Sequence, residues 1–259
     1  MAATGVAPPD GASTGRLRRR STLCQRLLVL DSGAMSEISI VAVLDDPVRR
    51  RLYEYVALQP HGVSRNEAAQ AVGIQRTLAA FHLDRLAEAG LVSVSFRRPD
   101  GRTGPGAGRP AKLYQRAPTE HQVSVPPRDY RRAAELLAEV VDVTGAEPQL
   151  QRSARSRGAA AGRTARWQAP GETDRELVER ELAARGYQPY RDGACIRLRN
   201  CPFHVLADRF PPLICGMNLA LLEGLLAGAT AATFEARLDP RPGDCCVALR
   251  EAVPPSKTN

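Results

Sequence analysis

The last quarter of the chain carries most of its cysteine. Of the six cysteines in 259 residues, five lie in the last 65, at Cys195, Cys201, Cys215, Cys245 and Cys246. No secretion signal is recognisable, so we expect a cytoplasmic protein without structural disulfides. Cytosolic thiols gathered in this way favour a soft metal or an iron–sulphur cluster. The residues therefore predict a cysteine site that holds a metal centre.

Other roles for these cysteines remain open on the residues alone. A zinc site often uses close Cys-x-x-Cys pairs, and the sequence contains none. A thiol redox switch is a further alternative. So is a cofactor-free interaction domain with inert cysteines, because cysteine is small and easily buried. We expect no enzyme, because Cys201 and His204 lack an orienting acid and the sequence has no GxSxG, HExxH or Gly-rich phosphate loop.

The elements in front of the cysteines follow the order of a winged helix-turn-helix. Asp46 before Pro47 predicts the start of one helix, and Ser64 with Glu67 predicts a capping box for the next. A third helix is expected over 75–89. A strand over 91–96, a Gly/Pro/Arg loop over 97–110 and a return strand over 112–116 complete a domain at 38–117.

The third helix is the predicted recognition helix, whose outward side chains would enter the major groove. Its inner stripe is expected at Leu78, Phe81, His82, Leu83 and Leu86. Residues 95–116 carry six basic residues and one acid, which gives +5, whereas residues 35–94 sum to −1. Cations beside a compact domain favour nucleic acid. The predicted DNA-binding residues are Gln75, Arg76, Thr77, Ala79, Ala80, Arg97, Arg98, Arg102, Arg109 and Lys112.

This region resembles a known family. Two stretches look like the first and recognition helices of ArsR-type bacterial repressors, VLDDPVRRRLYEYV and LAAFHLDRLAEAGLV, and a third, GRPAKLYQR, is similar to the wing-to-strand stretch of their relatives. The resemblance covers residues 40–117 and implies a bacterial transcription regulator that binds double-stranded DNA and is expected to act as a repressor. Relatives usually have Ser, Arg or Gln at Ala79 and Ala80, so thymine-methyl contacts are expected there instead.

The rest of the chain predicts a mainly α protein with an α+β part. A helix over 127–144, with Ala133, Leu136, Leu137 and Val140 on one face, is the expected dimerisation helix of a homodimer. No apolar run is long enough to span a bilayer, so we expect no membrane protein. The remaining segments are a disordered tail over 1–34, with Met35 as a candidate start, a linker over 145–170 and a small α+β sensor domain over 173–252.

The sensor domain also resembles a known one. The stretch NCPFHVLADRFPPLICGMNLALLEGLL, followed by GDCCVAL, looks like the sensor domain of SufR-like regulators of iron–sulphur assembly genes. This resemblance implies an iron–sulphur cluster of unspecified type, with Cys201, Cys215 and Cys245 as ligands. A further cysteine of some relatives is missing here. The fourth ligand is then expected to be Cys246, Cys195, His204, an acid such as Asp244, or a small thiol.

Overall fold

The computed structural model describes residues 36–97 and 110–252. The predicted tail, with Cys24 and Met35, and most of the predicted wing lie outside the described residues. From Glu37 onward the described residues belong to one compact unit, which has separate hydrophobic cores in its N-terminal and C-terminal parts. The proposed division into domains stays a prediction.

The N-terminal part is the predicted winged helix-turn-helix. Its helices begin at the predicted caps: Asp46 accepts hydrogen bonds of 2.9 Å from the backbone N–H groups of Val48 and Arg49, and Ser64 forms its capping box with Glu67. The elements are α1 (Glu37–Ala42), a 3₁₀ turn (Val43–Asp45), α2 (Pro47–Ala57), β1 (Val63–Ser64), α3 (Arg65–Val72), α4 (Arg76–Glu88), β2 (Val92–Arg97) and β3 (Ala111–Arg116).

The packing of this part orients α4. Strand β3 lies between β1 and β2 in an antiparallel sheet. Helices α2 and α4 bury Leu52, Val56, Leu83 and Leu86 completely, and Tyr114 of β3 joins the same core at 1% exposure. One face of α4 is therefore fixed in the core, and the opposite face is left for a partner.

The C-terminal part is a small α+β fold. Its elements are α5 (Tyr130–Thr144), α6 (Glu147–Gln168), α7 (Asp174–Ala184), β4 (Pro189–Asp192), β5 (Cys195–Leu198), α8 (His204–Arg209), α9 (Pro211–Gly228), β6 (Phe234–Leu238) and β7 (Val247–Glu251). The strands form one antiparallel sheet of order β4-β5-β7-β6. Helices α7 and α9 bury Leu182, Leu222 and Leu225 against Ile196 and Leu249 of the sheet.

The predicted linker over 145–170 is wrong, because 22 of its residues form helix α6. Low hydrophobicity suggested a flexible chain, but small residues here allow α6 to pack backbone against backbone on α9. A Cβ atom added to Gly158 or Gly162 would lie 2.0 or 2.2 Å from a carbonyl oxygen of α9. Gly224 and Gly228 make the reciprocal approach from α9, at 2.1 Å each. Glycine is required at these positions because any side chain would separate the helices.

Helix α9 is the one described helix that is long and apolar enough to cross a membrane by length and composition. Of its 18-residue window, 44% is buried inside the protein. The buried residues pack on α6 and on the C-terminal sheet. This is the environment of a core helix, so the apolar composition of α9 is explained by the fold.

Candidate metal centre and nucleic-acid interface

Four cysteines meet in the C-terminal part. The thiol of Cys245 interacts directly with the thiols of Cys201 and Cys246, and Cys246 also contacts Cys215. Cys245 is 3% exposed, and the other three thiols are partly buried. We call Cys201, Cys215, Cys245 and Cys246 the thiol cluster. It contains the three predicted ligands and one of the candidates for the fourth.

Three separate elements bring the thiol cluster together. Cys201 follows β5, Cys215 lies in the second turn of α9, and the pair at 245–246 precedes β7. Two backbone hydrogen bonds hold that pair in place: Cys245 N–H donates to Leu198 O at 2.7 Å, and Asp239 N–H donates to Cys246 O at 2.8 Å. The position of the pair is therefore set by the ends of β5 and β6.

Cys245 and Cys246 both reach the thiol cluster although they are neighbours in sequence. In a strand, neighbouring side chains alternate between the two faces. Strand β7, however, begins only at Val247. Because residues 245–246 lie in the connection before the strand, alternation does not apply to them, and both thiols reach the cluster.

The thiol of Cys245 also accepts a hydrogen bond from a buried side chain. Asn218 Nδ2 donates to Cys245 Sγ at 3.3 Å, and Tyr187 donates its hydroxyl to Asn218 Oδ1 at 2.5 Å. Asn218 is fully buried and Tyr187 is 1% exposed. Neither residue was predicted from the sequence in this role. The one available sign was a polar residue in the apolar helix α9, three positions after Cys215.

The ionisation of the thiols is coupled. Hydrogen bonds from Cys201 and Cys246 lower the pKa of the Cys245 thiol, against the opposing effect of burial. The same hydrogen bonds, with burial, raise the pKa values of the Cys201 and Cys246 thiols. Burial, together with the nearby Cys245 thiol, also raises the pKa of Tyr187. The cluster thus favours one thiolate, on Cys245, that is stabilised by its neighbours.

A buried arginine supports the loop that leads into Cys245. Arg197 of β5 is 1% exposed, and its guanidinium contacts the carboxylates of Asp239 and Asp192. Asp244 lies 4.0 Å from the same guanidinium and accepts a hydrogen bond of 2.7 Å from the Tyr190 hydroxyl. Its burial is possible because three acids pair with the guanidinium, and two of them, Asp239 and Asp244, are distant from Arg197 in sequence.

The other candidates for the fourth ligand have partners other than the cluster thiols. Cys195 begins β5 and pairs in the sheet with Asp192 and Arg250. The side chain of His204 is 66% exposed, and its Nε2 lies 3.6 Å from Asp208. Asp244 is engaged by Tyr190 and Arg197, as described. Of the four protein candidates, Cys246 is the one whose side chain contacts thiols of the predicted ligands.

The thiols of the cluster contact one another in pairs. Within residues 36–97 and 110–252, no group of three or more His, Cys, Asp and Glu side chains is disposed to hold a single metal ion. The donor set is nevertheless four thiols, which suits iron–sulphur clusters and zinc alike. A metal centre would require these side chains to separate from their mutual contacts.

The solvent face of α4 differs from the predicted one. Ala79 is fully buried and His82, Leu83 and Leu86 lie beside it in the core, whereas Leu78 and Phe81 are 41% and 59% exposed. The prediction that Ala79 contacts DNA is therefore wrong. The large apolar side chains of Leu78 and Phe81 suggested that these residues lie in the core. That orientation of the helix left Ala79 on the predicted solvent face. The predicted contacts Gln75, Arg76 and Thr77 are exposed, and Ala80 is partly buried.

Two of the predicted wing cations lie in the described residues. Arg97 ends β2 with an exposed side chain. Lys112 on β3 donates to Asp84 Oδ1 at 2.5 Å, and Tyr114 donates to the same oxygen at 2.7 Å. Burial raises the pKa of Asp84, but these hydrogen bonds outweigh it and the pKa is lowered overall. Lys112 therefore links the wing to α4. The predicted contacts Arg98, Arg102 and Arg109 lie outside the described residues.

Residues 44–95 match a protein family described as a helix-turn-helix domain. A search of curated proteins found no match to the chain. The matched segment runs from the turn before α2 into β2, so it contains the whole helix-turn-helix unit and its recognition helix α4. The chain therefore has a DNA-binding domain, and its architecture is that of a helix-turn-helix regulator.

Proposed function

We propose that this helix-turn-helix protein is a cytoplasmic bacterial transcription regulator whose thiol cluster holds an iron–sulphur cluster that sets its affinity for DNA. The observation that carries the proposal is the contact among Cys201, Cys215, Cys245 and Cys246. Cys195, in the same part of the chain, is excluded from it. The resemblance to SufR-like regulators favours the same ligands and repression as the direction of control.

The residues around the thiol cluster suit an iron–sulphur centre. Cysteine thiolates are the usual ligands of such centres, and Cys246 would complete the set of four. Asn218 offers its N–H to the sulphur of Cys245, and hydrogen bonds to the sulphurs tune the reduction potential of a bound cluster. Phe203 and Leu219, like Cys201 and Cys246, pack against the hydrophobic core that contains Cys245. When bound, an iron–sulphur cluster would supply redox- and oxygen-sensitive chemistry.

A cavity of about 510 Å³ between the N-terminal and C-terminal parts connects the thiol cluster with the DNA-binding part. One wall belongs to the winged helix and the segment after it, including Tyr53, Leu91 and Arg116. The other wall includes Cys201 and Asp244, from the two connections that carry cluster thiols. Loss of a metal centre would release these connections and change a wall that the DNA-binding part also lines.

A homodimer through α5 would give this regulator its two DNA-binding domains. Leu136, Leu137 and Val140 are 58%, 67% and 58% exposed and form one stripe on α5. Arg132 and Glu139 flank that stripe on one side, by helix geometry. Antiparallel pairing about a two-fold axis beside Leu136 would place Arg132 of each copy beside Glu139 of the other.

A second candidate function is a thiol redox switch, favoured by the direct contact between Cys201 and Cys245. In that case hydrogen peroxide would take two electrons and two protons from the two thiols. One disulfide and two waters would form. A zinc site on the same four thiols is the remaining alternative among the metals. It would carry neither sulphide nor visible absorption.

The experiment that separates these functions is anaerobic reconstitution of the full chain with iron and sulphide. Wild type should gain both elements together with broad absorption near 400 nm. Ser variants of each thiol-cluster cysteine should lose most of both elements. Cys195→Ser is the matched control and should load like wild type. Wild type that takes up zinc alone, or only forms a disulfide with peroxide, would replace the proposal by the corresponding alternative.

A further inference from the structure

The solvent face of α4 is apolar at its centre. Ala79, His82, Leu83 and Leu86 face the core, and by the helical repeat of 3.6 residues the side chains opposite to them are Thr77, Phe81, Asp84 and Glu88. Phe81 is 59% exposed and its neighbour Leu78 is 41% exposed. The helix matched as part of a helix-turn-helix domain therefore presents an aromatic ring where it would meet the major groove.

The polar residues on that face are engaged within the protein toward its C-terminal half. Asp84 accepts hydrogen bonds from Lys112 and Tyr114, and Glu88 is paired with Arg85 at 2.7 Å. On this face, the hydrogen-bond donors for base edges lie in the first turn, at Gln75, Arg76 and Thr77. In the middle of the helix, Phe81 has no polar group to offer to DNA.

We propose that Phe81 recognises the C5-methyl groups of thymine, with Leu78 beside it, and thereby sets sequence preference. The thymine methyl is the apolar feature that base pairs present in the major groove. Contact between an exposed ring and this methyl group is favourable, because the apolar surfaces of both are removed from water. This role replaces the thymine contact expected at Ala79. It rests on the helix-turn-helix domain and is independent of any metal.

The test compares thymine with uracil, which differ by this methyl group alone. The probe is the tightest duplex that full-length wild type recovers from a randomised library, remade with uracil for thymine at one position at a time. Wild type should lose affinity about three- to fivefold at one or more positions per half-site, the value of burying one methyl group. Phe81→Ala should bind the thymine and uracil duplexes equally well at those positions.

Two further variants make the result specific. Phe81→Leu keeps an apolar side chain and should retain part of the discrimination. Trp167→Ala removes an aromatic ring that is 82% exposed on α6 and should discriminate like wild type. Because Phe81 is exposed, all three variants should melt within a few degrees of wild type in thermal unfolding.

Two results would overturn the proposal. Wild type that binds thymine and uracil duplexes equally at every position has no methyl recognition. Phe81→Ala that keeps the full wild-type discrimination places that recognition on another residue. If Phe81→Ala instead sediments as an assembly of a different mass from wild type, Phe81 contacts a second copy of the chain and the proposal also fails.

Discussion

Replacing Gly158 by Ala should destabilise the protein by forcing α6 away from α9. The new Cβ would lie 2.0 Å from Leu221 O and 2.9 Å from Leu225 N, both backbone atoms. Ordinary contact begins at about 3.4 Å, so one helix has to move by about 1.4 Å. Rotation of a side chain cannot relieve this contact, because the opposing atoms belong to the backbone of a packed helix.

The expected change in the free energy of unfolding is the difference between two opposing effects of Gly158→Ala. Alanine is favoured over glycine within a helix by about 1 kcal/mol, which acts in favour of the variant. Overpacking of a core costs about 1–3 kcal/mol, and the rigid obstacle places Gly158 toward the upper end. The net result should be a loss of about 1–2 kcal/mol in the free energy of unfolding, or roughly 2–8 °C in Tm.

Gly216→Ala is the matched control for this measurement. It lies in α9, and its Cβ would meet only the end of the flexible Gln151 side chain, at 2.9 Å. Thermal unfolding of the metal-free chains under reductant should find this control unchanged or stabilised by up to about 1 kcal/mol. If Gly158→Ala proves as stable as Gly216→Ala, the backbone contact between α6 and α9 is not as close as described.

Three further predictions concern other contacts. Asp84→Asn should lower the free energy of unfolding at neutral pH by only roughly 1 kcal/mol, because solvent screens the half-exposed carboxylate. The pKa of Asp84 is lowered in the folded state. The stability that the carboxylate contributes is therefore present above the unfolded pKa of 3.8 and is lost as the pH falls through the folded pKa. Acid unfolding curves that coincide with wild type over this range would contradict it. Asn218→Leu should cost about 1–3 kcal/mol, measured by denaturant unfolding, because the buried Tyr187 hydroxyl loses its acceptor; an unchanged midpoint would mean that another acceptor replaces it. Glu139→Arg should weaken dimerisation by about tenfold in sedimentation, and Arg132→Glu in the same chain should restore it; failure of this rescue would exclude the antiparallel α5 pair.

Local signals predicted the N-terminal fold well. The caps at Asp46 and Ser64 are set by side chains within three residues of the backbone they bind, so the sequence alone locates the helices. The face of α4 was less predictable. Leu78 and Phe81 are as apolar as core residues, and only the packing of α2 and β3 decides that Ala79 is buried in their place.

In the C-terminal part, the grouping of the cysteines and helix α6 depend on long-range contacts, so the sequence did not predict them. The cysteines can be seen in the sequence, but their grouping depends on where β7 begins and on the backbone hydrogen bond from Cys245 N–H to Leu198 O. Helix α6 looked like a linker because the segment is rich in Gln, Arg, Gly and Ala and low in hydrophobicity. Its partner α9 supplies the reason for the glycines, and the two segments lie about 60 residues apart in sequence.

The most direct test of the proposed function is the DNA affinity of one protein in two states. Wild type reconstituted with iron and sulphide, and the same preparation stripped by a chelator without oxygen, are titrated with the library-selected duplex at one salt concentration. We expect dissociation constants that differ by at least about fivefold, the lower range of allosteric coupling. Metal-loaded Cys195→Ser should behave like loaded wild type. Equal dissociation constants for the loaded and stripped forms would contradict the central claim that the thiol cluster controls DNA binding.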